Sequence, residues 1–161
     1  MKPYWLSDDG AITVYRARCE DVIAAGLVVP REVALVHADP PYGIGLDTRL
    51  RNRNGPIRKA SLNGGTLRPR KVDFPPIPGD DRPYDPATLI ALDSPTVLWG
   101  ANHYASRVPD SPSWIMWDKR DGINPNDCGD GELAWSNLGG ALRTFRHAWS
   151  GLCRASESGG A

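Results

Sequence analysis

The sequence predicts an α/β fold in which a mostly parallel sheet carries helices on its faces. The β-rich run Ala11–Tyr15 is followed by a helical segment, Cys19–Ala25, which ends at Gly26. The continuous apolar run Val33–His37 comes next and is typical of a strand that is buried on both faces. Because strand, helix and strand alternate, we expect parallel strands joined by crossover helices.

The second half of the chain continues this alternation. We predict a helix over Pro86–Leu92, strands over Thr96–Trp99 and Trp114–Trp117, a helix over Glu132–Leu138 and a last strand over Thr144–Trp149. At 161 residues the chain can bury one ordinary hydrophobic core, so we expect a single domain.

Charge and cysteine usage restrict the class of protein. Nineteen basic residues balance nineteen acidic ones, so any surface that binds nucleic acid must be local. The three cysteines, Cys19, Cys128 and Cys153, have no paired spacing, which argues against a zinc site or a disulfide framework. No apolar run approaches the length of a signal sequence or a membrane span. We therefore expect a soluble protein in the reducing cytoplasm.

The tetrapeptide Asp39-Pro40-Pro41-Tyr42 directly follows the apolar run Val33–His37 and Ala38. Asp39 can accept one N–H of a planar exocyclic amine, and the rigidly held carbonyl of Pro40 can accept the other. Tyr42 can supply a face on which an extruded base stacks. We expect a concave site at the carboxyl end of a central strand, where open α/β sheets bind ligands. The alternative is an ordinary turn at the end of a strand.

A basic segment follows the tetrapeptide. Eight basic residues and no acidic one lie in this stretch: Arg49, Arg51, Arg53, Arg58, Lys59, Arg68, Arg70 and Lys71. With the proline-rich connector after it, the segment forms a loop insertion over residues 49–83. We predict that it grips the DNA backbone and becomes ordered on binding. A solvated loop with a basic bias is the alternative.

Several polar and aromatic residues have two possible roles. Five tryptophans on predicted elements could stack on bases, but a core position fits them better: Trp99, Trp114, Trp117, Trp135 and Trp149. Other polar residues follow predicted strands and could line the site or make local contacts: Asn102, His103, Asp118, Lys119 and Arg120. For His147 we expect a hydrogen bond in the core.

Four further segments accompany the tetrapeptide in a collinear order: Val97–Tyr104, Trp114–Arg120, Glu132–Ser136 and Phe145–Gly151. Together they resemble the bacterial and phage DNA methyltransferases that methylate the amino groups of adenine N6 or cytosine N4. The resemblance implies a Rossmann-like sheet, double-stranded DNA as the substrate and S-adenosylmethionine as the methyl donor. It implies catalytic roles for Asp39, Pro40, Pro41 and Tyr42. It also favours adenine, since cytosine enzymes of this type more often carry Ser in place of Asp39.

One part of the methyltransferase pattern is missing. The Gly-rich turn that binds S-adenosylmethionine would follow the last matching segment, and it is not found in this sequence. We therefore expect the base-binding half of a methyltransferase sheet, with the cofactor-binding residues unknown and a separate cofactor-binding polypeptide as a possible partner. The alternative is an inactive remnant that keeps the base pocket. An unrelated hydrolase-like domain is a third possibility, which no Gly-x-Ser-x-Gly motif supports.

Overall fold

The computed structural model of the protein describes residues 1–46, 75–119 and 129–147. The chain divides into two compact units, one formed by Met1–Asp39 with Asp85–Ala161 and the other by Pro40–Tyr84. Within the described residues, every helix is too short or too polar to cross a membrane.

The first unit begins with a two-stranded hairpin and a helix. β1 (Trp5–Leu6) pairs antiparallel with β2 (Thr13–Val14), which is the strand predicted over Ala11–Tyr15. The helix α1 (Cys19–Ala24) then begins at the predicted residue and ends one residue before the predicted end. Gly26 follows with a φ of +69°, a left-handed conformation that glycine adopts without strain and that commonly ends a helix.

Five further strands and a second helix complete the described part of this unit. They are β3 (Val36–Ala38), α2 (Ala87–Ile90), β4 (Thr96–Trp99), β5 (Trp114–Asp118), β6 (Gly131–Ser136) and β7 (Arg143–Arg146). The strand order in the sheet is β3-β4-β6-β5-β7. β3 is parallel to β4 and β5 is parallel to β7, while β6 runs antiparallel to both of its neighbours.

The core of the sheet lies at the pairing of β4 with β6. Leu98 is opposite Trp135 in register, and their side chains are 0% and 2% exposed. Alternation along the two strands directs these residues to the same face of the sheet. Tyr104 is also buried, and its hydroxyl donates a hydrogen bond of 2.5 Å to the carbonyl of Trp99. The core therefore combines apolar packing with satisfied polar groups.

The predicted fold class is wrong. The described sheet is mixed because β6 inserts antiparallel between β4 and β5. The two α-helices of the described part, α1 and α2, have six and four residues. At 1.5 Å per residue, such helices are only about 6–9 Å long, so they do not form the helical layers of a Rossmann-like sheet.

The helix predicted over Glu132–Leu138 is a strand, β6. Its Glu, Leu and Ala residues favour helix locally, but hydrogen bonding to strands on both sides outweighs that preference. Gly131 permits the close approach: a Cβ there would lie 2.5 Å from the carbonyl oxygen of Trp117. A side chain at this position would therefore disturb the pairing with β5.

The remaining predicted strands are present, with one difference of environment. β4 has the predicted bounds. β5 ends one residue later than predicted, and β7 begins one residue earlier than predicted. β3 covers only Val36–Ala38, at the edge of the sheet and not at its centre. Leu35, in the apolar run before it, is 50% exposed, so this run is not buried on both faces.

The second unit is described for residues 40–46 and 75–84. It contains no helix or strand among these residues. Instead, a buried aspartate, Asp80, joins the two stretches through hydrogen bonds to backbone amides. This part of the chain is therefore held by polar contacts between loops.

Candidate functional site

In the first unit, one edge of the sheet brings together the ends of four strands. The pairing directions place the carboxyl ends of β3, β4, β5 and β7 at the same edge. Asp39 follows β3 at this edge and is exposed. Asp39 therefore follows the carboxyl end of a strand, as predicted, but that strand lies at the edge of the sheet and not at its centre.

The segment after β4 lies at the same edge, on the strand adjacent to β3. Gly100, with a φ of +67°, turns the chain into a 3₁₀ helix, Ala101–His103. The side chains of Asn102 and His103 in this helix are exposed. Both residues follow the end of a strand, as predicted, and that strand, β4, neighbours the strand that leads to Asp39.

One face of the sheet carries a row of aromatic rings. The indole N–H of Trp99 donates a hydrogen bond of 2.8 Å to Nε2 of His37. Trp99 makes edge-to-face contacts with Trp117 and Phe145, with ring centroids 6.3 Å apart in each case. Trp117 stacks on Phe145 at 5.9 Å. We define this aromatic row by these four residues, His37, Trp99, Trp117 and Phe145.

The aromatic row is only partly buried. Phe145 is 43% exposed, His37 is exposed, and the two tryptophans are half-buried. The prediction of a core position is therefore right for Trp135, which is 2% exposed, but not for Trp99 and Trp117. Trp114 is likewise half-buried, and Trp149 lies outside the described residues.

The charged residues that end β5 make local ion pairs. Lys119 pairs with Glu132 and lies over the ring of Trp117, 4.8 Å from its centroid. Asp118 pairs with Arg146 at 3.5 Å. β5 is three strand positions from β3, roughly 14 Å at the usual spacing between strands. Of the two roles considered for Asp118 and Lys119, local ion pairing is the one observed here.

His147 has a contact that differs from its predicted role. Its backbone N–H donates to the carbonyl of Asp118 at 3.1 Å, and its carbonyl accepts from the indole N–H of Trp117 at 2.9 Å. The residue itself is exposed. The main chain of His147 thus extends the edge of the sheet, and the predicted core hydrogen bond of its side chain is not supported.

In the second unit, the turn after Tyr42 is organised by one residue, Asp80. Its Oδ1 accepts hydrogen bonds from the N–H groups of Gly43 and Ile44 at 2.8 and 3.1 Å. Its Oδ2 accepts from the N–H of Leu46 at 2.6 Å, and its backbone carbonyl accepts from Gly45 at 2.8 Å. Four consecutive amides, which we call the Asp80 turn (residues 43–46), therefore all bond to Asp80.

Glycine is required at one position of the Asp80 turn. Gly43 has a φ of +74°, and a Cβ there would lie 2.2 Å from the carbonyl oxygen of Arg82. Because that oxygen belongs to the main chain, it cannot move aside cheaply. The glycine at position 43 is thus explained by the close approach of two loops within this unit.

Sequence reasoning missed Asp80. It lies 37 residues after Gly43, beyond a long insertion, and nothing in its local sequence marks it as a partner of that turn. The available signal was a Pro-Gly-Asp-Asp sequence in a connector otherwise rich in proline. The predicted DNA-binding residues lie outside the described residues, as does Arg120; they are Arg49, Arg51, Arg53, Arg58, Lys59, Arg68, Arg70 and Lys71.

The described residues do not fit S-adenosylmethionine. β3 runs into Pro40 and Pro41, and β4 runs through a single glycine into a 3₁₀ helix. The Gly-x-Gly amides of the Asp80 turn are bonded to Asp80 and so are not free to bind a cofactor. In the described part of the chain, no strand passes through a glycine-rich turn into an α-helix.

Comparison with models of protein families found no match, and comparisons with curated proteins and with solved structures also found none. The resemblance to amino-group methyltransferases therefore depends on the motif residues themselves. The position of Asp39 after a strand and the rigid turn after Tyr42 are the structural features that bear on it.

Proposed function

We propose that this chain is the base-binding part of a DNA methyltransferase that acts on the N6 amino group of adenine. S-adenosylmethionine would supply the methyl group when bound, and the substrate would be double-stranded DNA. Because the described residues do not fit that donor, the proposal assigns to this chain the recognition of the base. The donor would be held by residues outside the described part of the chain or by a separate cofactor-binding polypeptide.

One observation carries the proposal: an exposed Asp39 directly after a strand whose neighbour is parallel. A carboxylate in this position is accessible to a ligand and contributes little to the core. Asn102 and His103 follow the adjacent strand and are also exposed. These polar residues therefore follow two neighbouring parallel strands at the same edge of the sheet.

The chemical roles come from the tetrapeptide. The amino group of adenine has two N–H donors, and an ionised Asp39 can accept one while the carbonyl of Pro40 accepts the other. The carboxylate also favours the positive charge that develops on nitrogen as it acquires a methyl group. Tyr42 would stack on the extruded base. This contact would offset part of the energy that is needed to unstack the base from the duplex. Pro41 restricts the backbone between these groups.

The cytoplasm is the proposed location. The three cysteines have no paired spacing, which is typical of proteins that work where thiols are kept reduced. Double-stranded DNA is accessible in the same compartment of a bacterial cell. The basic residues between Arg49 and Lys71 are the proposed contacts to its phosphates, and each contact should add about 0.9 to the slope of log affinity against log salt.

Nucleoside analysis tests the proposal. The chain is incubated with S-adenosylmethionine and unmethylated DNA, alone and with extract of a host that lacks its own adenine methylation. The DNA is then digested, and N6-methyladenine and N4-methylcytosine are measured by mass. We expect N6-methyladenine, and we expect Asp39→Ala to abolish it while the thermal unfolding temperature stays within about 2 °C, the size of a surface substitution.

Asp110→Ala is the matched control, since this aspartate is exposed and lies outside the tetrapeptide. It should leave methylation unchanged. Production of N4-methylcytosine alone would overturn the choice of base. Absence of both products, together with no calorimetric signal for donor binding, would favour the inactive remnant that retains only the base pocket.

A further inference from the structure

We propose that Asp80 is a positioning residue that holds Tyr42 ready to stack on the target base. This inference rests on the proposed function, because the base is what Tyr42 would contact. Asp80 is 5% exposed, and its carboxylate accepts three of the four amide hydrogen bonds of the Asp80 turn. Hydrogen bonds from amides to a carboxylate are among the stronger ones in proteins.

The effect on Tyr42 comes through the main chain on both sides of it. On the amino side, Pro41 has a φ restricted by its ring. On the carboxyl side, Gly43 is held by Asp80 through its N–H and by the close approach of Arg82. Tyr42 is half-buried and lies between two residues with little conformational freedom, so the direction in which its side chain leaves the main chain is restricted.

Pro41 also lies next to the loop that carries Asp80. A Cβ built on Gly79 would lie 3.4 Å from Cγ of Pro41, which is van der Waals contact. The loop of Gly79 and Asp80 thus lies close to the residue before Tyr42 and bonds to the chain after Tyr42. A stacking ring is useful in catalysis when its position is set before the base arrives, because less freedom is then lost on binding.

The carboxylate should not be replaceable by an amide. An Asn side chain offers one oxygen acceptor, whereas Asp80 uses both oxygens. In Asp80→Asn, either the amide of Leu46 or those of Gly43 and Ile44 would face an NH₂ donor. At least one hydrogen bond of the turn would therefore be lost, with a repulsive contact in its place.

Fluorine NMR of protein labelled with 3-fluorotyrosine measures the position of Tyr42 directly. The chain has five tyrosines, and Tyr42→Phe identifies the Tyr42 signal by its loss. We expect Asp80→Asn to shift or broaden the Tyr42 signal and to leave that of Tyr104, in the other unit, unchanged. Asp81→Asn, a change at the exposed neighbour, should move no signal.

Kinetics supplies the functional part of the test. If the wild-type chain yields N6-methyladenine, Asp80→Asn should lower the rate of transfer at saturating DNA by about 10-fold or more, as expected for a misplaced group. The Kd for DNA should change less than twofold, because Asp80 is buried and makes no phosphate contact. Asp80→Ala should lower the rate further.

The outcomes separate this inference from the proposed function. A wild-type chain that makes no methylated base, with a shifted Tyr42 signal in Asp80→Asn, would overturn the function and support the positioning of Tyr42 by Asp80. An unchanged Tyr42 signal would overturn the inference whether or not the chain is active. If the fluorine signal of Tyr84 also moved to the chemical shift of an unfolded chain, Asp80 would be a general structural residue of its unit. That result would overturn the inference too.

Discussion

The five-stranded sheet and the Asp80 turn are stabilised by different forces. The sheet is stabilised by the burial of apolar side chains such as Leu98 and Trp135, which are 0% and 2% exposed. The two apolar side chains of the turn, Ile44 and Leu46, are 47% and 43% exposed, so their burial contributes little to stability. The turn depends instead on the hydrogen bonds that its amides donate to Asp80.

This difference means that the two units position Asp39 and Tyr42 by separate means. Asp39 lies at the end of a strand whose position follows from sheet packing. Tyr42 precedes a turn that one buried carboxylate organises. Substitutions in the apolar core should therefore reduce global stability, whereas substitutions in the turn should act locally and affect Tyr42 more than the rest of the chain.

The largest effect is expected for Leu98→Ala. Truncating a fully buried leucine removes apolar burial and leaves a cavity, at a cost of about 2–5 kcal/mol in the free energy of unfolding. Chemical denaturation followed by tryptophan fluorescence measures this change. Leu142→Ala, at a leucine that is 56% exposed, is the control and should change the free energy by less than about 0.5 kcal/mol. Equal effects of the two variants would show that the sheet does not depend on its core.

Gly43→Ala tests the turn. The new side chain meets the Arg82 carbonyl and must adopt a positive φ, so we expect a cost of about 2–5 kcal/mol in the local opening free energy. Gly45→Ala shares the positive φ, +60°, but has open space for its Cβ, and should cost about 1–2 kcal/mol. Amide hydrogen exchange of residues 43–46 distinguishes them. Identical exchange in the two variants would contradict the close approach.

A smaller effect is expected on the open face of the sheet. Trp117 and Phe145 stack with an interplanar angle of 12°, and such a pair contributes about 0.5–1.5 kcal/mol beyond its buried area. A double-mutant cycle with Trp117→Leu and Phe145→Leu measures that coupling. The same cycle between Trp114 and Phe145 is the control, because alternation along β5 directs Trp114 to the opposite face. Coupling of equal size in both cycles would argue against a specific ring contact.

The smallest effect is expected at Asp9, an exposed carboxylate that also organises a turn. Two hydrogen bonds lower the pKa of Asp9 below its ordinary value of 3.8. The one from the Ser7 hydroxyl has the larger effect, and the one from the Ala11 N–H has the smaller effect. Since the folded-state pKa is the lower one, its stabilising contribution is present above pH 3.8 and is lost as pH falls through the folded value.

NMR titration of the Asp9 carboxyl, with Ser7→Ala as the comparison, tests this. The variant should raise the pKa of Asp9 towards its ordinary value and change the melting temperature very little at neutral pH. A titration unchanged by Ser7→Ala would contradict the hydrogen bond as the main cause.

Much of the local structure could be predicted because its causes lie within a few residues. The helix that ends near Gly26 and the strand Thr96–Trp99 follow from turn chemistry and from short apolar runs. The position of Asp39 just after a strand was predictable for the same reason. Prolines at positions 40 and 41 end the strand that begins at Val36.

Other features depended on partners distant in sequence. β6 is a strand, despite a helix-favouring composition, because β4 and β5 pair with both of its edges. β3 is an edge strand because its one described neighbour is β4. Asp80 bonds to amides 34–37 residues away, and no local pattern specifies that distance. Local propensities are small and act over one turn or strand, whereas sheet pairing and buried hydrogen bonds are decided only when separate segments of the chain meet.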